Sequence, residues 1–253
     1  MKKLIGSAGF ALLLFLGCSS DDEPVEQTRE EFCREWANRA CSAEVVSVCQ
    51  AAEVSDCRLA QEGFCQELVP DGFEGEHADR CLDAVGSAYS DADLTANELA
   101  TVLQLGPPCD RLVRGPREEG DVCQTSADCN TVGSYACVRK GPDGIGTCQV
   151  PRIVEPGLEC GAPQESCTDG FYCNGDNCVV GKEAGDDCAS QEECAAETYC
   201  TAAGVCAERF ELGETCAADY ECLSDICFAF GSERTCVDRI RLSPSEPLCD
   251  QLR

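Results

Sequence analysis

The chain has 253 residues, 25 of them Cys, and a formal net charge of −28. Cysteine at that density belongs to disulfide scaffolds rather than ordinary globular enzymes, and argues against a reducing cytosolic home. Beyond a 17-residue leader, Leu, Ile, Val and Phe supply 43 of 236 residues, about 18%, too few at this charge to fold a reduced chain around one large α/β core.

Met1-Lys2-Lys3 is a basic start, and Leu4 to Leu16 is an apolar run of 13 residues, too short to span a bilayer. It ends in Phe15-Leu16-Gly17-Cys18, followed by Ser19-Ser20-Asp21-Asp22. This resembles a bacterial lipoprotein signal. The resemblance implies removal of residues 1–17 and lipidation of Cys18 as the new N-terminus, with residues 18–28 as an acidic tether. Ser19 in place of Asp implies an outer-membrane or cell-surface address in a Gram-negative bacterium rather than inner-membrane retention. The alternative is an ordinary secretory leader with Cys18 as a thiol. Parity favours lipidation, because setting Cys18 aside leaves 24 Cys, an even number for bridges.

Residues 29–108 carry helical signals. Thr28 with Glu31 and Thr95 with Glu98 have capping-box spacing, and 53–68 and 77–89 are Ala- and Leu-bearing segments. Phe32, Trp36, Phe64 and Leu103 are assigned to core packing. Cys33, Cys41, Cys49, Cys57 and Cys65 follow at eight-residue intervals, then Cys81. Residues i and i+8 of one helix stand about 12 Å apart along its axis, whereas a disulfide needs Cα atoms within about 7 Å. Cys33 and Cys41 therefore staple different helices, and a bundle of three to four short helices is expected.

From Cys109 the grammar changes to four cysteine quartets, at about 120–150, 157–180, 185–208 and 213–238: Cys123, Cys129, Cys137, Cys148; Cys160, Cys167, Cys173, Cys178; Cys188, Cys194, Cys200, Cys206; and Cys216, Cys222, Cys227, Cys236. Three of them open Gly-[Asp/Glu]-x-Cys-x5-Cys, the second Gly157-Leu-Glu-Cys160 with x6. This is an internal repeat. The third and fourth cysteines flank turn residues such as Asn174-Gly175, so each quartet predicts a β-hairpin. A unit of this size has too little core to fold alone, and cross-links replace it. Pairing within a quartet stays open among three arrangements. The fold class expected is a disulfide-clipped helix bundle followed by four hairpin repeats and a tail ending at 253.

Ala127-Asp-Cys129, Glu192-Glu-Cys194, Tyr220-Glu-Cys222, Tyr172-Cys173 and Tyr199-Cys200 give residues 120–237 a pattern that resembles the Dickkopf N-terminal cysteine-rich domain, repeated as in bacterial secreted proteins. The animal family binds surface receptors, but no receptor-binding motif is present to carry that role across. If the quartets close internally, Cys249 must bond to the front half. Pro108-Cys109-Asp-Arg-Leu112 and Leu248-Cys249-Asp-Gln-Leu252 look alike, which makes Cys109 the expected partner.

Catalytic patterns are missing. No Cys-x-x-Cys supports zinc or thiol redox chemistry, and His77, the single histidine, reads as a solvated side chain. No nucleophile elbow or phosphate loop occurs, and no cofactor is implied. With 47 acidic residues, nucleic acid would be repelled. Asp91-Ala-Asp93-Leu-Thr95 faintly resembles an EF-hand start but has Ala96 in place of the turn glycine; an N-cap role is expected, and weak calcium association stays open.

These features predict a non-enzymatic, lipid-anchored surface protein. Its repeats project outward as a rod and serve as spacers or contact an extracellular protein or glycan. Arg139–Thr147 and Phe228–Thr235 are the candidate contact loops. A protease inhibitor using Arg139 or Phe228 is the alternative.

Overall fold

The structure, a computed structural model, describes residues 27–139, 145–230 and 233–253. The leader, Cys18, the tether to residue 26, and parts of both candidate loops (140–144 and 231–232) lie outside the described residues.

Where the sequence alone predicts three to four helices, the front half holds five: α1 Arg29–Ala40, α2 Ala43–Cys49, α3 Val54–Leu68, α4 Ala78–Ala88 and α5 Ala96–Gln104. Both capping boxes form, Thr28 with Glu31 and Thr95 with Glu98. The unexpected helix is α2, which contains three valines. Its N-terminus is set by Ser42, whose Oγ accepts from the Val45 N–H at 3.2 Å, and Gln50 ends it in the left-handed conformation.

Helices α1 and α3 run antiparallel, bolted at two rungs by Cys33–Cys65 and Cys41–Cys57. Between the rungs lies Gln61, fully buried, whose Oε1 accepts from Trp36 Nε1 at 3.2 Å. Phe32 and Trp36 are fully buried, and Phe64 and Leu103 pack against the same core. A buried side chain of this size stabilises by about 1.5–3 kcal/mol. Cys81 of α4 bonds to Cys109, which follows α5.

Each quartet ends in a short antiparallel hairpin. In the first, β2 (Val122–Cys123) and β3 (Ala136–Arg139) flank β4 (Gly146–Gln149). The second has a parallel pair, β5 (Arg152–Val154) with β6 (Glu165–Cys167), then β7 (Phe171–Cys173) with β8 (Cys178–Val180). The third and fourth have β9 (Thr198–Cys200) with β10 (Cys206–Glu208) and β11 (Cys227–Phe230) with β12 (Glu233–Cys236). In every hairpin the third and fourth cysteines stand opposite one another: Cys137 and Cys148, Cys173 and Cys178, Cys200 and Cys206, Cys227 and Cys236.

These opposed cysteines do not bond to each other. The pairing left open by the sequence is first to third and second to fourth in all four units. The hairpin is thus bolted by both strands to the segment that precedes it. Successive units are linked as well. Arg117, Val154, Lys182 and Phe210, in the linkers, each bridge in parallel to the second cysteine of the unit that follows. Phe210 also meets Tyr199 of the third unit at 5.8 Å between ring centroids.

After Cys236 the chain returns to the helices. The final strand, β13 (Ile240–Arg241), pairs with β1 (Asp93–Leu94), the short strand before α5. The last helix, α6 (Pro247–Asp250), bonds through Cys249 to Cys49 at the end of α2. Cys249 therefore does join the front half, but to Cys49 rather than Cys109. The likeness between 108–112 and 248–252 encodes a shared local shape. Each forms one helical turn whose Cys and following Leu, three residues apart, are both buried against the helices. Two segments facing inward in the same manner are structural equivalents, and Cys109 is already held against α4.

The tail also corrects the picture of a projecting rod. The first quartet docks on the helical body through Thr131, whose Oγ1 donates to the Val113 carbonyl, and the fourth leads straight into β13. Both ends of the repeat array rest on the same helices.

Candidate functional site

The repeated frame is the part of the chain that could present a site, and its local chemistry recurs unit by unit. Gly120, Gly157, Gly185 and Gly213 each occupy positive φ, between 80° and 100°. Each donates its N–H to the carbonyl of its unit's fourth cysteine at 2.8 Å. The next residue's carbonyl accepts in return from that cysteine's N–H. A side chain at φ > 0 is strained, which accounts for glycine at the start of every unit.

Carboxylates complete the frame. Asp121, Asp186 and Glu214 accept from the backbone N–H groups of Glu118, Glu183 and Glu211 at 3.0, 3.1 and 2.7 Å. The second unit has Leu158 there. Just before the second cysteine, Asp128 accepts from Gln124 and Thr125, Glu193 from Ala189, and Glu221 from Ala217 and Ala218. In the second unit Glu165 does the same for Ala162. The Gln124 and Thr125 N–H groups hold the Asp128 carboxyl below the usual aspartate range. The Lys182 ammonium, aided by the Ala189 N–H, does so for Glu193. Acidity read from composition as a surface coat is in part a set of loop fasteners.

The sulfurs come close enough to suggest metal ligation: three of each quartet's four Sγ atoms lie within 4.8 Å of one another. All are in disulfides, however, and metal binding needs thiolate. His77 is not solvated as the sequence suggested. Its side chain is 14% exposed, with Nε2 buried and 4.0 Å from a Glu76 carboxylate oxygen. In the segment likened to a calcium loop, Asp91 and Asp93 face Arg239 and Arg241 of the tail at 3.6 and 3.5 Å.

Phe228, a candidate contact residue, lies in β11 paired with Thr235. Arg139 ends β3 opposite Gly146, at the turn end of the longest hairpin.

Two larger cavities accompany the repeats. One of about 980 Å³ lies between the third and fourth units, with Glu183, Glu197, Glu208, Glu211 and Glu214 on its walls. Arg209 there is engaged by Asp225 at 2.7 Å. Another, of about 520 Å³, opens where the fourth hairpin meets the tail. Sequence reasoning passed over this second site because Glu246 and Phe228, which share it, belong to different segments. Among the described residues no helix is long and apolar enough to cross a membrane. Comparison with family models, with curated proteins and with solved structures finds no match.

Proposed function

We propose that the chain is a non-enzymatic, lipid-anchored surface protein whose quartets are interaction modules. The observation that supports it is a constant frame carrying variable tips. The four units share one bridge pattern and one glycine turn. The hairpins between third and fourth cysteines, in contrast, hold ten, four, five and eight residues. Rigid scaffolds with variable loops are how recognition surfaces are built. The return of the array to the helices favours contact over spacing, because a spacer gains reach only when its far end is free.

The anchor and address follow from Leu4–Leu16, Cys18 and Ser19. By the cysteine pattern of 120–237 the units are Dickkopf-like. Two experiments test this reading. In a Gram-negative host, radiolabelled palmitate is expected on the full chain in the outer-membrane fraction, and a Cys18→Ala variant is expected to lose it. A photo-crosslinking residue at position 145, beside the first hairpin tip, is expected to give a discrete adduct on intact cells. One at Leu59, 74% exposed on α3, is expected to give none. Equal labelling of both positions, or of neither, would overturn the contact role.

A further inference from the structure

In the first three units the carboxylate just before the second cysteine meets a cation from the linker ahead of it. The Arg117 charge acts on Asp128, Arg152 pairs with Glu165, and Lys182 Nζ stands 2.5 Å from a Glu193 oxygen. Lys182 also lies over the Tyr172 ring of the second unit, its Nζ 5.6 Å from the centroid, a cation–π distance. In the fourth unit the place of Lys182 belongs to Phe210. Lys182 donates its N–H to the Glu193 carbonyl and accepts from Ala195; Phe210 donates to the Glu221 carbonyl and accepts from Leu223. Glu221 therefore has no linker cation. Among the described residues its carboxylate accepts only from the Ala217 and Ala218 N–H groups. The neighbouring arginines are engaged elsewhere, Arg209 by Asp225 at 2.7 Å and Arg234 by the Ala217 and Cys227 carbonyls at 2.6 and 2.9 Å.

The surroundings of Glu221 are aromatic. Tyr199, the counterpart of Tyr172, has Phe210 at 5.8 Å and Tyr220 at 6.1 Å between ring centroids, tilted by 59° and 48°. Tyr220 stands where the third unit has Glu192, and it is 45% exposed. Burial, then the Glu221 charge, push the Tyr199 phenol above its ordinary value, so carboxylate and ring lie within one another's field. Ring faces carry negative charge density, and tilted rings beside a carboxylate attract an organic cation.

We propose that Tyr199, Phe210, Tyr220 and Glu221 receive a lysine side chain of a partner polypeptide. Its ammonium pairs with Glu221 and lies against the tyrosine faces, and its methylenes rest on Phe210. Lysine is the occupant because the preceding unit holds one, its own, at the same positions of the repeat. The assignment rests on the interaction-module reading and gives the fourth unit its partner chemistry. A net charge of −28 favours a basic segment and disfavours a second copy of this chain.

The test is titration of the full oxidised chain with Nα-acetyl-lysine N-methylamide and with its uncharged counterpart, Nα-acetyl-norleucine N-methylamide, followed by amide and tyrosine-ring chemical shifts. Saturable millimolar binding of the lysine compound is expected, with the largest shifts at Tyr199, Phe210, Tyr220 and Glu221 and the norleucine compound at least tenfold weaker. Tyr220→Leu and Glu221→Gln are each expected to weaken it at least threefold, as loss of one partly exposed cation contact does. The glutamine keeps an acceptor for the Ala217 and Ala218 N–H groups, and peptide mapping is expected to find Cys216–Cys227 and Cys222–Cys236 intact in both variants. Phe210→Lys is expected to fill the site from within, as Lys182 does one unit earlier, and to abolish binding. Norleucine binding equal to lysine, shifts spread evenly over the acidic surface, unchanged affinity in Glu221→Gln, or no saturation into the tens of millimolar would overturn the proposal. Lysine binding by the purified chain without adducts on cells would sink the module reading alone, and adducts on cells without lysine binding would sink this site alone.

Discussion

Cys49 and Cys249 are 200 residues apart in the chain and 5.1 Å apart between Cα atoms, joined by a disulfide that both bury completely. This bridge encloses all four quartets and turns the repeat array into a closed circuit on the helical body. Around it, β13 pairs with β1, and Leu242, Leu248 and Leu252 of the tail enter the helical core.

Removing that bridge with Cys49→Ala/Cys249→Ala is expected to cost about 2–5 kcal/mol, the range for native disulfides that close long loops. The other eleven bridges lie within either the helices or a quartet and are expected to form. Guanidinium unfolding gives the loss. Limited proteolysis is expected to open first at 237–253.

Gln61 is the second place where tail and helices are tied. Its Oε1 accepts from Trp36 Nε1, and its Nε2 donates to the Gln251 carbonyl at 2.7 Å. Gln61→Leu removes both partners and strands a buried indole N–H and a carbonyl, each costing about 1–3 kcal/mol. Trp36 is the single tryptophan, so its fluorescence is expected to report an unfolding midpoint shifted to lower denaturant.

The carboxylate fasteners set a pH dependence. The carboxyls of Asp128 and Glu193 lie below their usual values in the folded chain. Stability from them is fully present above the unfolded values near ~4 and disappears as pH falls through the lower folded values. Amide shifts of Gln124 and Thr125 are expected to titrate with Asp128 at a midpoint below that of an ordinary aspartate, and Asp128→Asn is expected to abolish that titration. With the disulfides intact, the change is local loosening of the loop between Cys123 and Cys129.

Two glycines separate strain from space. Gly120 has φ +86° and no atom within 4 Å of an added Cβ, so Gly120→Ala is expected to cost only the left-handed backbone penalty, about 1–2 kcal/mol. A Cβ on Gly146 would stand 2.4 Å from the Val138 carbonyl oxygen and 3.0 Å from Cys137 Sγ. Gly146→Ala is expected to part β3 from β4 and mispair the first quartet. Peptide mapping after oxidative refolding distinguishes the two.

The sequence by itself determined the parts whose causes are local. Cysteine spacing separated helices from quartets. Turn residues placed all four hairpins, and Thr28 and Thr95 marked two helix starts, because a capping box or an Asn-Gly turn works through neighbours three or four residues away. Eight-residue spacing ruled out a Cys33–Cys41 bridge by distance alone. The tertiary structure decided the rest. Which helix Cys249 reaches, that Gln61 is buried between α1 and α3, and that Glu246 shares a cavity with Phe228 all depend on segments far apart in sequence meeting in space. A cysteine or glutamine carries no local mark of its distant partner. Pairing within each quartet was equally hidden: opposed cysteines on a hairpin are near enough to bond with each other, and only the fold of the preceding segment gives each a different partner.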